Sequence, residues 1–424
     1  MQRNKIAVAL TTLDRMKIGT LTLHLPFNYG NALQMFSLHR YLREQGWDAE
    51  VLSHWYHENR DEILYWHHAV RRFPRGTVKF ILNCLCWNGT VCAYMRECKL
   101  KRWLDLNIQW SAASGYDGHF PCAKIPHDVV IVGSDQIWNP IHRTSKFFLL
   151  PDFPDGIRKI AYAASMGTDR FVEKEREFFK RNLERFHAIS VRESSAKAII
   201  RSEMGLESEL VCDPTLLHSK AEWVRLLGIV ESAGKSKYNM AYFVTPDAGR
   251  LWRDLIRIAR ETKKPLHVFT FVASTVKVNL AWPFGTVVKT IVKRIRLRLA
   301  GVHLHFAATP TDFVQCLANC DGLFTDSFHG MMFATIFERK CNVVVGDHPE
   351  RLQMSARLRN FTSEFGSPDI LTPRMDVAAL KPLKITQKLN ALIEHSKKWL
   401  DKAVRGYDDY DHFVRCFKRR LHGD

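Results

Sequence analysis

The chain lacks any run of about 18 or more apolar residues free of charge, which argues against a membrane-spanning helix. Its first apolar run, Ile6 to Leu10, is too short for the hydrophobic stretch of a secretion signal and gives way to Thr11, Thr12 and Asp14. Met16, followed by Lys17 and Ile18, would serve as a start as well as Met1 does. There are ten cysteines but no CxxC pair and no Cys/His spacing of a zinc site, so buried free thiols are expected and no metal; Cys316 and Cys320 fall one helical turn apart, as on one packed face. GxGxxG, the dinucleotide fingerprint, is absent. These absences leave a cytoplasmic globular protein, and 424 residues suffice for two domains with a core each.

Acid is also in short supply: 44 Asp and Glu stand against 62 Lys and Arg, a net charge of +18. Such a balance favours acidic partners, whether a phosphorylated substrate, an anionic membrane surface or nucleic acid. One basic concentration is Arg71, Arg72, Arg75 and Lys79, continuing to Lys99, Lys101 and Arg102. The other runs through Lys277, Lys289, Lys293, Arg294, Arg296 and Arg298, with Phe284, Val287, Val288, Ile291, Val292, Ile295 and Leu299 recurring at helical spacing. A basic helix with one apolar face suits the surface of an anionic membrane, here the inner face of the plasma membrane, and equally suits packing on its own domain with a solvated basic side. Zinc-finger spacing, paired RNA-binding aromatics and a long basic tail are all missing, so nucleic acid is not expected.

What is present is an alternation of short apolar runs and helical patterns. Strands are expected at Gly19 to Leu25, Asp48 to Leu52, Val129 to Val132, Ile160 to Ala164, Ile189 to Val191, Tyr238 to Val244, Leu266 to Val272, Val302 to Phe306, Leu323 to Phe324 and Asn342 to Gly346. Helices fall between them, the first from Ala32 to Gly46 after a turn at Pro26 to Asn31. The fold class is α/β, with two Rossmann-like domains facing a cleft. The first takes residues 1–215, with a helical basic insertion at about 59–120. The second takes 216–424 with closing C-terminal helices, and the linker lies between Pro214 and Tyr238.

Ligands of such sheets sit beyond the carboxyl ends of the strands. The residues expected there are Asn28, Tyr29, Gly30, Asn31, Ser134, Asp135, Gln136, Arg192, Glu193, Asp213, Thr325, Asp326, Ser327 and His329, with Trp138 beyond Gln136. The segment Asp321 to Phe337, DGLFTDSFHGMMFATIF, sets an imidazole and two hydroxyls between a strand end and a helix N-terminus, whose free N–H groups attract anions.

FNYGNALQ, VIVGSDQIWNP, IAYAASMG, ISVRESSA, CDPTLL and TDSFHGMMFA, in this order and spacing, resemble the polysaccharide pyruvyl transferase family, of the branch found in exopolysaccharide gene clusters, over about Met16 to Ala403. The resemblance implies a glycosyltransferase-B-like fold and transfer of a pyruvyl group from phosphoenolpyruvate to a sugar of a glycan or lipid-linked oligosaccharide, as a cyclic ketal, without metal or organic cofactor. It implies that Arg192, in ISVRE, and His329, in DSFHG, lie at the donor. Where characterised branches read Ser-Arg-Leu-His, this chain has Asp326, Ser327, Phe328 and His329. Ser327 stands in the arginine's place, so Arg192 must be joined by another cation, or the donor differs.

The chemistry assigns roles on its own terms. His329 could protonate the methylene carbon, because an unperturbed imidazole titrates near neutrality, at about 6.5. Arg192 could hold a carboxylate or phosphate in bidentate fashion. Asp135 could accept the proton of the attacking hydroxyl, or be a cap or turn former. Asn28, Tyr29, Gly30 and Asn31 would offer N–H groups and amides to the acceptor, and Trp138 could stack on a sugar ring or simply be packed. Two rivals share these features: a nucleotide-sugar glycosyltransferase of the same architecture, and a non-catalytic basic protein binding membrane or nucleic acid.

Overall fold

A parallel strand covered on both faces calls for a continuous apolar run, and Val129–Val132 (VVIV) and Gly322–Thr325 (GLFT) are buried at every residue. The computed structural model describes residues 16–23, 28–52, 89–111, 125–141, 143–232, 234, 237–244, 248–270, 284–345, 355–366 and 368–406. Among these the N-terminal half gives, in chain order, β1 (Lys17–Leu21), α1 (Tyr29–Glu44), β2 (Asp48–Val51), α2 (Gly89–Asn107), β3 (Val129–Val132), β4 (Arg158–Ala164), α3 (Arg176–Leu183), β5 (Ala188–Val191), α4 (Ser194–Ile199) and β6 (Glu209–Leu210). After a 3-10 turn at Pro214–Leu217 come α5 (Lys220–Leu227), β7 (Asn239–Phe243), α6 (Ala248–Thr262), β8 (Leu266–Thr270), α7 (Phe284–Leu299), β9 (Val302–His305), α8 (Pro310–Ala318), β10 (Gly322–Thr325), α9 (Phe328–Ile336), β11 (Lys340–Val344), α10 (Ala356–Phe365), β12 (Leu371–Thr372), β13 (Lys381–Pro382) and α11 (Gln387–Arg405).

The strands form two sheets, ordered β2-β1-β3-β4-β5-β6 and β12-β11-β10-β7-β8-β9, parallel throughout except that β13 pairs antiparallel with β11. The expected architecture of two doubly wound α/β domains is the one found. In the first sheet the chain leaves β1 for β2 on one side and returns to β3 on the other, with Ile18 opposite Val129. In the second it leaves β7 for β8 and returns to β10, with Leu323 opposite Met240. Each reversal opens a crevice at the strands' carboxyl ends. The two crevices are where GSDQ, after β3, and TDSFH, at the end of β10, come to lie.

Several expectations need correction. The first helix begins at Tyr29 rather than Ala32, because Asn28 caps it: its side-chain oxygen accepts the Asn31 N–H at 3.1 Å. The expected linker contains a helix not foreseen in it, since Ser219 and Glu222 form a reciprocal capping box that starts α5, and Trp223 is fully buried. The last helix closes on the first domain instead of the second. Ser396 Oγ of α11 accepts the Cys212 N–H at 2.8 Å, and Trp399 lies 6.3 Å from Tyr162, ring to ring.

The basic insertion lies largely outside the described residues, with Arg71, Arg72, Arg75 and Lys79; so do Lys277 and the strand ends at 24–25 and 271–272. Its described helix, α2, joins the domains: Trp103 packs on Phe36 at 5.3 Å, and its indole N–H donates to Thr311 Oγ1 at 2.9 Å. The apolar positions of α7 divide, Leu297 facing the core while Val292, Ile295 and Leu299 face outward. Cys212, Cys320 and Cys341 are buried free thiols, Cys316 is half-buried and Cys98 exposed.

One apolar cluster runs through both domains and includes Tyr29, Phe36, Trp223, Tyr242, Phe313 and Phe333. Beside it lies His39, whose Nε2 accepts the Gln109 N–H at 3.3 Å. Burial, then Arg43 and Arg40, lower its pKa from the ordinary 6.5 to about 4. The unfolded chain therefore takes up this proton first. The stability tied to the neutral ring is complete above about pH 6.5 and is lost as the pH falls towards 4, about 3 kcal/mol for a shift of this size. Denaturant titrations between pH 7.5 and 4.5 should show His39→Gln, neutral throughout, with a shallower acid loss than the parent; parallel losses would refute this.

Candidate functional site

The end of β3 turns sharply. Gly133 has φ +122°, and a Cβ there would stand 2.0 Å from the Tyr162 carbonyl oxygen, so only glycine fits. Asp135 follows at φ +65°, a left-handed conformation that is costly for a residue with a side chain and is found where function or packing enforces it. The turn is tied to its neighbours, Thr22 Oγ1 donating to the Ser134 carbonyl at 3.0 Å and the Ser134 N–H donating to Gln34 Oε1 at 3.2 Å.

This turn presents Ser134 and Asp135 to Arg192, which lies beyond the end of β5. Arg192, 1% exposed, donates through Nη1 to Asp213 Oδ2 at 2.5 Å and to Ser134 Oγ at 3.0 Å, and through Nε to Glu193 Oε1 at 3.2 Å; Nη2 is 3.4 Å from Asp135 Oδ1. Asp213 also accepts from Ser134 Oγ at 3.1 Å and, through Oδ1, from the Thr215 N–H and hydroxyl at 3.0 and 2.7 Å. Burial alone would raise the pKa of Asp213, but His329 and Arg192 outweigh it and hold the carboxyl far below its ordinary value. For Asp135 burial again opposes, and His329, Arg192 and Arg357 prevail, so its carboxyl too is held low.

The second domain contributes His329, in the first turn of α9. Its Nε2 is buried without a hydrogen-bond partner, 3.6 Å from Asp213 Oδ2. The N-terminus of α1 comes up against it: a Cβ on Gly30 would stand 2.5 Å from His329 Cβ and 2.6 Å from Nδ1. Tyr242 completes the join, its hydroxyl donating to Asn28 Oδ1 at 3.2 Å. Two helix N-termini, one from each domain, thus meet at an imidazole, and the partial positive charge of both favours an anion there.

Arg357 of α10 is a member that sequence reasoning missed. Its Nη1 is 3.4 Å from Asp135 Oδ1, and its guanidinium lies 5.7 Å from the centre of the Phe328 ring, which Arg192 also covers at 4.4 Å. With its amide oriented to satisfy both groups, Gln136 accepts from Arg357 Nε and Nη2 at 3.1 and 2.7 Å. Burial and the neighbouring Arg192 lower the Arg357 pKa while the carboxylates raise it, and its side chain remains 16% exposed. Nothing in the sequence around it resembles a motif; only the return of α10 to the cleft reveals it.

Among the expected site residues, Asn31, Ser134, Asp135, Gln136, Arg192, Asp213 and His329 come together. Asn31 donates from Nδ2 to Asp135 Oδ2 at 3.2 Å. Asn28 and Ser327 act as caps of α1 and α9, and Asp326 turns to the neighbouring strand, accepting the Val244 N–H at 2.6 Å. Tyr29 is an interdomain core residue, stacked on Phe313 at 5.4 Å. Trp138 is 0% exposed, donates to the Phe148 carbonyl at 3.2 Å and meets Phe186 edge-on, so it offers no face to a sugar. Arg192 is no open fork for a ligand, because carboxylates already occupy it.

The model of a family described as Polysaccharide pyruvyl transferase matches residues 28–348. The chain belongs to the polysaccharide pyruvyl transferase family. The match spans the strand-end segments from Asn28 to His329 and stops before Arg357. No curated protein matches the chain. Solved structures with a similar fold include the UDP-GlcNAc 2-epimerase of Neisseria meningitidis bound to UDP-GlcNAc, at 11% identity over 92% of this chain and 99% of that one, with a TM-score of 0.44. S. aureus MnaA with UDP is 13% identical over 96% and 97%, TM-score 0.45. E. coli heptosyltransferase WaaC with ADP is 13% identical over 80% and 90%, TM-score 0.34.

The Gly30 contact generates a prediction. A methyl group there must displace His329, so Gly30→Ala should cost about 1–3 kcal/mol and shift the His329 ring resonances in proton NMR. Gly156→Ala, with open space around it, should stay within about 0.5 kcal/mol. Equal effects of the two substitutions would mean that the packing at His329 is loose.

Proposed function

We propose that this member of the family moves a pyruvyl group from phosphoenolpyruvate to a sugar residue of a glycan precursor, forming a cyclic ketal. The observation that carries the reading is the unpartnered His329 Nε2 set between two helix N-termini beside the Arg192–Asp213 pair. His329 delivers a proton to the methylene carbon of phosphoenolpyruvate, and the developing cation at the adjacent carbon is attacked by one sugar hydroxyl. A second hydroxyl of the same sugar displaces phosphate by cleavage of the carbon–oxygen bond. Of the two hydroxyl protons lost, one ends on the new methyl group, by way of the imidazole, and the other on phosphate.

Arg357 supplies the second cation that the donor needs, since Arg192 is neutralised by its carboxylates. Asp213 keeps the His329 ring oriented, its Oδ2 lying 3.6 Å from Nε2. Asp135, paired with both arginines, is a poor base at neutral pH and acts by holding them. The reaction calls on no metal or organic cofactor.

The acceptor is taken as a lipid-linked oligosaccharide at an anionic membrane surface, the inner face of the plasma membrane. Val292, Ile295 and Leu299 project from α7 at 41%, 53% and 83% exposure, among Arg294, Arg296 and Arg298. No helix among the described residues is long and apolar enough to cross a membrane. Ile295→Ser with Leu299→Ser should abolish co-sedimentation with phosphatidylglycerol vesicles at low salt without changing the melting temperature; undiminished binding would remove α7 from the membrane reading.

The catalytic reading is tested by phosphate release on mixing the protein with phosphoenolpyruvate and a lipid-linked oligosaccharide. His329→Ala should lose about 10²–10⁴-fold in turnover with its circular dichroism intact. Arg357→Ala should raise the donor KM about 10–100-fold, the size of a lost charge-assisted hydrogen bond. If nucleotide sugars raise the melting temperature and phosphoenolpyruvate does not, the enzyme is a nucleotide-sugar glycosyltransferase and the reading falls.

A further inference from the structure

The join between the domains holds ligand atoms that the proposed reaction does not use. Glu44 closes α1, His218 follows the 3-10 turn Pro214–Leu217, and Glu222 lies in the first turn of α5. One ligand atom from each residue lies within 4.8 Å of the other two, the one such group of three found among the described residues. By itself that proximity would be an ordinary acidic cluster.

The imidazole makes it more. His218 is 1% exposed in its side chain, and its Nε2 lies 3.1 Å from the Ser37 carbonyl oxygen, which can only accept. Nε2 therefore carries the proton. Nδ1 is left as a bare lone pair, buried, without a hydrogen-bond partner and 3.9 Å from Glu44 Oε2. Tyr41 and Trp223 hold the ring edge-on at 6.1 and 5.6 Å.

Both carboxylates are fixed through one oxygen. Glu44 Oε1 accepts from Arg225 Nη2 at 3.0 Å, and Glu222 Oε2 accepts from the Ser219 N–H at 2.6 Å. A backbone carbonyl orienting the imidazole and fixed partners behind the carboxylates are the outer-shell supports that metal ligands have. Bonds of about 2.0–2.2 Å to one ion set its ligand atoms about 3.3–3.6 Å apart, so a small rotation of the carboxylates closes the group.

We propose that Glu44, His218 and Glu222 bind a divalent transition-metal ion, for which Zn²⁺ best matches one imidazole nitrogen and two carboxylate oxygens, with water completing the shell. The ion would staple the first helix of the N-terminal domain to the interdomain connection. It takes no part in the transfer chemistry, and the inference does not rest on that reading.

Isothermal titration of the full chain with ZnCl2 tests it, with Co²⁺ as a spectroscopic substitute. The expected result is one ion per chain, a raised melting temperature, and visible Co²⁺ absorption bands of a low-coordinate site. Glu222→Gln, which can still complete the capping box, and Glu44→Gln should each weaken binding by about tenfold or more. His218→Phe, filling the same space between Tyr41 and Trp223, should abolish it. Absence of stoichiometric binding to the parent protein would overturn the proposal. So would affinity unchanged in both glutamine variants, which would place the ion elsewhere, as at the row His267, His303 and His305 on β8 and β9.

Discussion

Arg192 and Asp213 lie 2.5 Å apart with side chains 1% and 0% exposed, and the rest of the site is arranged around them. Taking both charges out of water costs several kcal/mol per ion before any attraction is counted, so such a pair persists only where hydrogen bonds satisfy what remains. Here they do: Ser134 and Thr215 complete Asp213, while Glu193, Asp135 and the Phe328 ring complete Arg192. The pair joins three separate strand ends, those of β3, β5 and β6, and hands its outer edge to His329 from the other domain. Loss of Arg192 would strip the buried Asp213 and Glu193 of their cation, so the geometry of the site and the stability of the first domain cannot be separated.

The same satisfaction constrains how an anion can be held. Arg192 and Arg357 face Asp135, Glu193 and Asp213, two cations against three carboxylates, so the cluster offers no excess positive charge. An anion at this site would meet the two helix N-termini, the His329 ring and the groups that Arg357 frees from Asp135 and Gln136. Arg357 suits that part better than Arg192, because it keeps some exposure and its bonds to carboxylate are longer. At Ser327 the side chain caps α9, its Oγ accepting the Gly330 N–H at 3.3 Å.

How much of this was legible in the sequence follows from what each signal measures. Apolar runs ending in polar residues report local strand ends, so Ser134, Asp135, Arg192, Asp213 and His329 could be found without knowing how the strands are ordered. Asn28 was legible only in part: PFNYGN resembles a turn, yet its asparagine starts the helix at once. For Trp138 the sequence left stacking on a sugar and simple packing both open, and the structure decides for packing, with the turn folded back under the Phe148 carbonyl. The linker helix had its sign in Ser219 and Glu222, three residues apart as a capping box requires. Arg357 had no sign, since its role depends on a helix whose return to the cleft no local pattern encodes.

The interdomain contacts also bear on how the site operates. His329 belongs to one domain and Asp213 to the other, a division that in many two-domain enzymes is bridged only when substrate closes the cleft. In this chain the two are brought together by an apolar core, with Tyr29 stacked on Phe313 and edge-on to Phe269, and by the Trp103 and Tyr242 hydrogen bonds. Gly30 sits at the contact because no larger residue permits α1 to approach the imidazole so closely. A site assembled in this way has its dipoles in place before substrate arrives, so little binding energy is spent on orienting them. Reorganisation falls instead on the side chains of Arg357 and Gln136, which lie nearer the surface and are held by bonds that a donor's anionic groups can replace.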